Sequence, residues 1–259
     1  MSGVSKRKLL PQAVAMFSEK GARVCQEDTA YANQSRGVFV VADGFGGPHA
    51  GFGAAELACE SVKHFLEKEA GDLDATLPFV LRSYYTLAGN VLFNALVLAN
   101  RKLIRENRKK NIHEKGGASV VAGYIHGDEL ALANAGVCSV ALIREGRIKE
   151  LMVPRSYERF LNPMASSVDP NAPLGRSDHA VPLMALGLSD DLEPEILECR
   201  IQKGDWVIFF SDGASPDVFE NLAVLNKSGI APKEGAEEAV NFLSLSKFDD
   251  NLSLILAIF

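Results

Sequence analysis

At 259 residues and 47% hydrophobic content, the chain has material for a sizeable buried core, as one large domain or two small ones. A formal net charge of −6 argues against nucleic acid or an anionic membrane as the principal partner. Cys25, Cys59, Cys138 and Cys199 are scattered with no C-x-x-C pair, which fits reduced thiols in a cytoplasmic protein better than a disulfide frame or a zinc site.

In chain order, residues 1–11 read as an N-terminal extension: Lys6, Arg7 and Lys8 are not followed by the apolar stretch of a secretory signal. Strands are expected at 13–17, 29–32 and 37–42. A helix follows over 53–69, with Ala54, Leu57, Ala58, Ser61, Val62, Phe65 and Leu66 at helical spacing. A second helix is expected over 77–111. Its apolar stretch 84–99 is interrupted by Gly89, Asn90 and Asn94, so it reads as a buried helix rather than a membrane span. The cations from Arg101 to Lys110 suit a solvated helix end. Short strands are expected at 119–125, 130–134, 139–144 and 148–153, with a hairpin turn at Glu145-Gly146-Arg147. The Pro-, Ser- and Asn-rich stretch 154–182 reads as a surface loop or small lid. Strands resume at 195–201 and 206–211 around the turn Lys203-Gly204-Asp205. Helices at 217–225 and 233–245 then precede a terminal strand over 252–259. Strand-rich ends around a helical pair, without βαβ alternation, point to an α+β fold.

Chemistry concentrates where apolar runs meet carboxylates. Val38-Phe39-Val40-Val41-Ala42 delivers Asp43, followed by Gly44-Phe45-Gly46-Gly47. An Asp at the mouth of a buried strand is costly to desolvate unless a cation or strong donors meet it. The adjacent glycine allows close backbone approach and offers a carbonyl, which hard cations use as a ligand. Further stations are Arg23 to Glu27-Asp28, Phe209-Phe210-Ser211-Asp212-Gly213, and Asp249-Asp250-Asn251 before the last strand. Each alone reads as an ordinary turn. Together they suggest an oxygen-rich site for a hard divalent ion rather than zinc.

The set resembles the metal-dependent serine/threonine phosphatases of the PPM or type 2C family. The matching pieces are Arg23…Glu27-Asp28, Asp43-Gly44-Phe45-Gly46-Gly47, Gly117-Ala118-Ser119, Ser211-Asp212-Gly213 and Asp250-Asn251. The resemblance covers 12–259 and implies one phosphatase domain there, a four-layer αββα sandwich of two antiparallel sheets flanked by helices on both faces. It also implies two manganese or magnesium ions and a bridging hydroxide that attacks phosphoserine or phosphothreonine in proteins. Asp43 would bridge the ions, the Gly44 carbonyl would complete one site, and Asp212 and Asp250 would hold the other. Glu27 and Asp28 would orient bound waters, and Arg23 would grip phosphate. The expected partner is a phosphorylated protein met by a cytoplasmic signalling monomer.

Several positions depart from the family pattern. Gly136-Val137-Cys138 stands where the family has Gly-Asp-Ser, whose aspartate helps to bind a third metal. Pro216, with Asp217 one step later, stands where another acid or amide is common. Phe45 occupies a place that is histidine in some members, and nearby His49 reads as a solvent-facing loop residue. In the loop, Arg155 and Arg159 stand near where Asp-His-Ser is common. Two alternatives therefore stay open: a pseudophosphatase that acts as a regulatory binding partner, and a phosphatase of small metabolites with a deep closed pocket.

Overall fold

The computed structural model describes residues 8–47, 49–68, 81–153, 155–157, 160 and 181–259. Two five-stranded antiparallel sheets carry the architecture. The first contains β1 (Ala13–Glu19), β10 (Leu252–Ile258), β9 (Trp206–Phe210), β6 (Ser139–Arg144) and β7 (Arg147–Met152), in that spatial order. The second runs β2 (Asp28–Asn33), β3 (Val38–Gly46), β4 (Gly116–His126), β5 (Glu129–Ala135) and β8 (Glu195–Arg200). Helices α1 (Ala50–Lys68) and α2 (Leu87–Asn107) cover the second sheet, and α3 (Pro216–Lys227) and α4 (Pro232–Leu245) cover the first.

Three apolar layers hold these four together. On β3, Val38, Val40 and Ala42 face α1 and α2, while Phe39 and Val41 face the other sheet. Both faces are therefore dry, which is why β3 reads as an unbroken apolar run instead of an alternating one. Phe39 stacks on Phe209 across the sheets with ring centroids 5.1 Å apart. The outer layer of the first sheet packs Trp206, Ile208, Leu254 and Leu256 against Phe219, Leu222 and Leu243 of its two helices.

Local signals explain the element ends. Thr86 caps α2 through its side chain, and the Glu198 carboxylate accepts from Thr86 N–H at 3.0 Å and Gly89 N–H at 3.1 Å, placing an acid at a helix start. Pro216 and Pro232 stand in the first turns of α3 and α4, where a missing N–H costs nothing. Glu145 and Gly146 take φ of 53° and 72°, the mirror-type turn that suits a two-residue hairpin between β6 and β7.

The structure departs from the sequence expectation at informative places. The strand expected at 37–42 continues to Gly46, so Asp43 and Gly44 lie within the ladder rather than beyond its end. The helix expected over 77–111 begins at Leu87 and ends at Asn107, and 77–80 lie outside the described residues. Asn107 stops it by donating to Gly116 O at 2.7 Å and accepting from Gly116 N–H at 3.3 Å. Most of the loop at 154–182, with Arg159, and residues 1–7 of the N-terminal extension also lie outside the described residues. The described ends of that loop pair with each other: Tyr157 N–H donates to Val181 O at 3.0 Å and Leu183 N–H to Arg155 O at 2.9 Å.

Candidate metal centre

Sheet register builds the site. Asp28 on β2 faces Asp43 on β3, and Asp43 faces Ser119 on β4, so two carboxylates and a hydroxyl form one row across the second sheet. In the first sheet β9 and β10 are neighbours, and Asp212 follows the end of β9 while Asp250 precedes β10. Their antiparallel pairing brings these two acids together at the same end of the sandwich. Arg23, Glu27, Asp43, Asp212 and Asp250 all line one cavity of about 500 Å³.

Asp28 is only 3% exposed and stands behind Asp43, its register partner on β3, rather than on the cavity wall. Ser211 Oγ donates to Asp28 Oδ2 at 2.6 Å, and Ser253 N–H donates to Ser211 Oγ at 2.9 Å. The chain of hydroxyls continues to Ser18, 3.0 Å from the Ser253 hydroxyl. Asp28 is thus moored across the sandwich to the other sheet.

A second mooring fixes the loop between β1 and β2. Asn251 Oδ1 accepts from Glu27 N–H at 2.8 Å, and its Nδ2 donates to the carbonyls of Lys20 and Cys25, each at 2.9 Å. One amide side chain therefore presents both Glu27 and Arg23 to the cavity. Arg23 Nη2 donates to Asp250 Oδ2 at 2.5 Å. The turn after Asp212 must be glycine, because a Cβ on Gly213 would meet Asn251 O at 2.1 Å.

Electrostatics at this end are unfavourable for the chain by itself. Burial pushes the Asp43 carboxyl well above the usual carboxylate range, and Asp212, Asp28 and Asp250 push it further. Asp28 is raised to about 7, first by burial and then by Asp212 and Asp250, against the lowering effect of the Ser211 hydrogen bond. Arg23 is raised, chiefly by its hydrogen bond to Asp250. Positive charge is in short supply here, so a divalent cation suits the cluster.

The donors fit a hard ion. Glu27 Oε1 and the Gly44 carbonyl converge over Gly51 at the start of α1, where a Cβ would come within 2.4 Å and 2.8 Å of them. Asp28 Oδ1 and Ser119 Oγ are buried without a partner among the described residues. No group of three acidic, imidazole or thiol side chains among the described residues closes into a ready cage. Magnesium-like ions do not need one, since they keep several waters and use one or two carboxylates. The nearest thiol, Cys138, is fully buried and donates to Ser119 O at 3.5 Å. Burial, then Asp43, raises it further, so it is a packed thiol rather than a thiolate ligand.

The departures fall in distinct places. Val137 lines the cavity, so a side chain at 137 does face the acids and here it is apolar. Pro216 and Asp217 open α3, and Asp217 is exposed and does not line the cavity. Phe45 lines it, and the exposed His49 does not. The sequence reading named Asp212 and Asp250 but gave no role to their neighbours Ser211 and Asn251. The signal was their adjacency to those aspartates.

Comparison with known proteins bears on the family and the fold. The family described as protein phosphatase 2C matches residues 18–244. The serine/threonine protein phosphatase PstP of Mycobacterium tuberculosis is 26% identical over 251 residues, covering 94% of this chain and 44% of that protein. The chain thus spans less than half the length of that curated relative. Among solved structures, the catalytic domain of serine/threonine protein phosphatase PstP in complex with two manganese ions superposes with a TM-score of 0.73 at 21% identity, over 96% of this chain and 99% of that one. The serine/threonine phosphatase Stp1 from Staphylococcus aureus gives a TM-score of 0.75 at 18% identity, covering 97% and 96%. At these identities the two structures establish the shared fold.

Proposed function

The chain belongs to the protein phosphatase 2C family, and from that premise we propose that it is a metal-dependent phosphatase acting on phosphoserine and phosphothreonine in proteins. The observation that carries this reading is the convergence of Asp43, Asp212, Asp250 and Arg23 on one cavity from four separate stretches of chain. The relative solved with two manganese ions supports manganese or magnesium as the cofactor. When bound, such ions lower the pKa of water and neutralise phosphoryl oxygens.

The chain's own residues take the remaining tasks. We assign Asp43, the Gly44 carbonyl, Asp212 and Asp250 as the oxygen donors that would hold the two ions, Asp43 serving both. Glu27, beside the Gly44 carbonyl, orients water. Asp28 is a positioning residue: anchored by Ser211 in the opposite sheet, it holds Asp43 in place. Arg23 offers a planar fork to phosphate, and a substrate phosphate replaces Asp250 as its partner. The three cavity-facing aspartates favour an enzyme over a pseudophosphatase. We place its work in the cytoplasm, as a monomer in signalling, on phosphoproteins rather than nucleic acid or membrane. Four free cysteines and the charge of −6 support this placement, and among the described residues no helix is long and apolar enough to cross a membrane. Residues 12–259 constitute the phosphatase unit in this reading.

Hydrolysis of a phosphothreonine peptide, followed while manganese is titrated in and then removed by chelator, tests the proposal. Activity is expected only with metal. Unchanged turnover in excess chelator sinks the metal-dependent reading.

A further inference from the structure

Beside the acids, the same cavity has an apolar wall made of Phe45, Val137, Val181, Pro182 and Leu188. No side chain on that wall can carry charge or donate a hydrogen bond. The wall is built on the scaffold. The Phe45 ring rests against Gly117, where a Cβ would come within 2.5 Å of it, so only glycine on β4 admits the ring. Val137 is 3% exposed. Ala118 and Leu186 exchange backbone hydrogen bonds of 3.0 and 2.9 Å, which hold the segment leading to Leu188 against β4. Val181 and Leu188 nevertheless stay 59% and 58% exposed at the rim. Large apolar side chains grouped beside a polar cleft mark a surface that something apolar covers.

We propose that this wall is a specificity subsite that receives an aliphatic or aromatic residue next to the phosphorylated residue of the substrate, an inference that rests on the phosphatase reading above. The two walls share one cavity, so a peptide whose phosphate reaches Arg23 and the acids lays its neighbouring side chain on Phe45 and Leu188. An apolar neighbour gains contact area there. A charged neighbour loses water without gaining a partner.

The test uses phosphothreonine peptides that carry Leu, Phe, Ser, Glu or Lys on either side of the phosphorylated residue, and matching phosphonate peptides that cannot be hydrolysed. Turnover and calorimetric binding are measured on the whole chain with manganese. The wild type is expected to favour the Leu and Phe peptides over Ser by about ten-fold in kcat/KM, the scale of a modest hydrophobic pocket. Phe45→Ala should shrink that ratio to about two-fold. Leu188→Lys, at an exposed position that tolerates the change, should shift the preference toward the Glu peptide. Equal affinity and equal turnover across the set, or no phosphonate binding at all, overturns the subsite. A clear affinity preference without turnover of any peptide upholds it and sinks the hydrolase reading instead.

Discussion

Strand β9 has an aspartate just beyond each of its ends, and the two have opposite surroundings. At its start, Asp205 is fully buried and accepts from Arg144 Nε at 2.6 Å, Arg144 Nη2 at 2.7 Å and Gln202 N–H at 2.9 Å. Just past its far end, Asp212 lines the cavity with Asp43 and Asp250, and among the described residues Arg23 brings positive charge to them. The first acid is satisfied by its own chain and needs nothing from outside. The second belongs to a group whose members repel one another. A protein keeps such a group when a ligand supplies the missing charge. Charge satisfaction thus separates a structural end of the sandwich from a reactive one.

Removing the central acid should have the largest effect. Asp43→Asn is expected to lower kcat by about 10³-fold or more at saturating manganese, since one residue serves both proposed ions. Its metal-free form should melt no lower than wild type, because a repelling carboxylate is gone. Near-normal turnover would show that Asp43 is not the shared ligand. Next comes Arg23→Ala, for which kcat/KM should fall roughly 30- to 150-fold, as expected for a lost charged hydrogen bond to phosphate. Calorimetry should find manganese binding unchanged or tighter, because Arg23 no longer competes for Asp250. Weakened metal binding would make Arg23 structural.

The satisfied acid should behave in the opposite way. Asp205→Ala is expected to cost about 2 kcal/mol of folding stability, below what a fully buried broken pair costs because Arg144 is 39% exposed and can turn to water. The urea midpoint should drop while the manganese affinity of the folded protein stays put. A change in metal affinity would erase the distinction between the two ends.

The raised acids also give the metal-free protein a definite pH signature. Asp28, at about 7 in the folded chain, binds a proton there that the unfolded chain has already released near pH 4, and Asp43 is shifted in the same direction. Between those values the native state holds more protons, so their contribution to stability falls as pH rises. Comparing wild type with Asp43→Asn by denaturation in chelator at pH 4.5 and 7.5 isolates this. The variant should gain on wild type at the higher pH, and saturating manganese should remove the gain. A constant difference between the two would contradict the proposed repulsion.

The smallest expected effect concerns Val137. A carboxylate at that position would face the same cavity and offer another hard-ion ligand. Positioned proton donation contributes about 10²–10⁴-fold when complete, but Pro216 and Asp217 also depart from the family pattern, so a gain of a few-fold is expected. Val137→Asp should raise turnover of phosphopeptides more than that of p-nitrophenyl phosphate, whose leaving group needs little protonation. Equal changes on both substrates would end this argument.

Much of this was legible in the sequence because it was written locally. The run Val38 to Ala42 announced a doubly buried strand, and the acids beyond the apolar runs announced an oxygen-rich site. What escaped depends on pairings between distant segments. That Asp43 sits inside the ladder follows from β4 matching it residue for residue. That Asp28 lies behind Asp43 follows from Ser211, 183 positions away, reaching it across the sandwich. The clasp of Asn251 on Glu27 spans 224 positions. Periodicity sees one strand at a time and cannot rank such contacts.

The Asn251 clasp also bears on when the protein becomes active during its synthesis. The loop assigned to phosphate is fastened by Asn251, which is made 224 residues after Glu27. Strand β1 has β10 as its partner in the first sheet, with Ala13 opposite Ile258. On the ribosome, the loop carrying Arg23 and Glu27 is therefore expected to take its fixed shape only once β10 has emerged and slotted in between β1 and β9. A nascent chain that stops short of β10 is expected to hold Arg23, Glu27, Asp43 and Asp212 and still lack a working centre, so the proposed activity would report that β10 has been made.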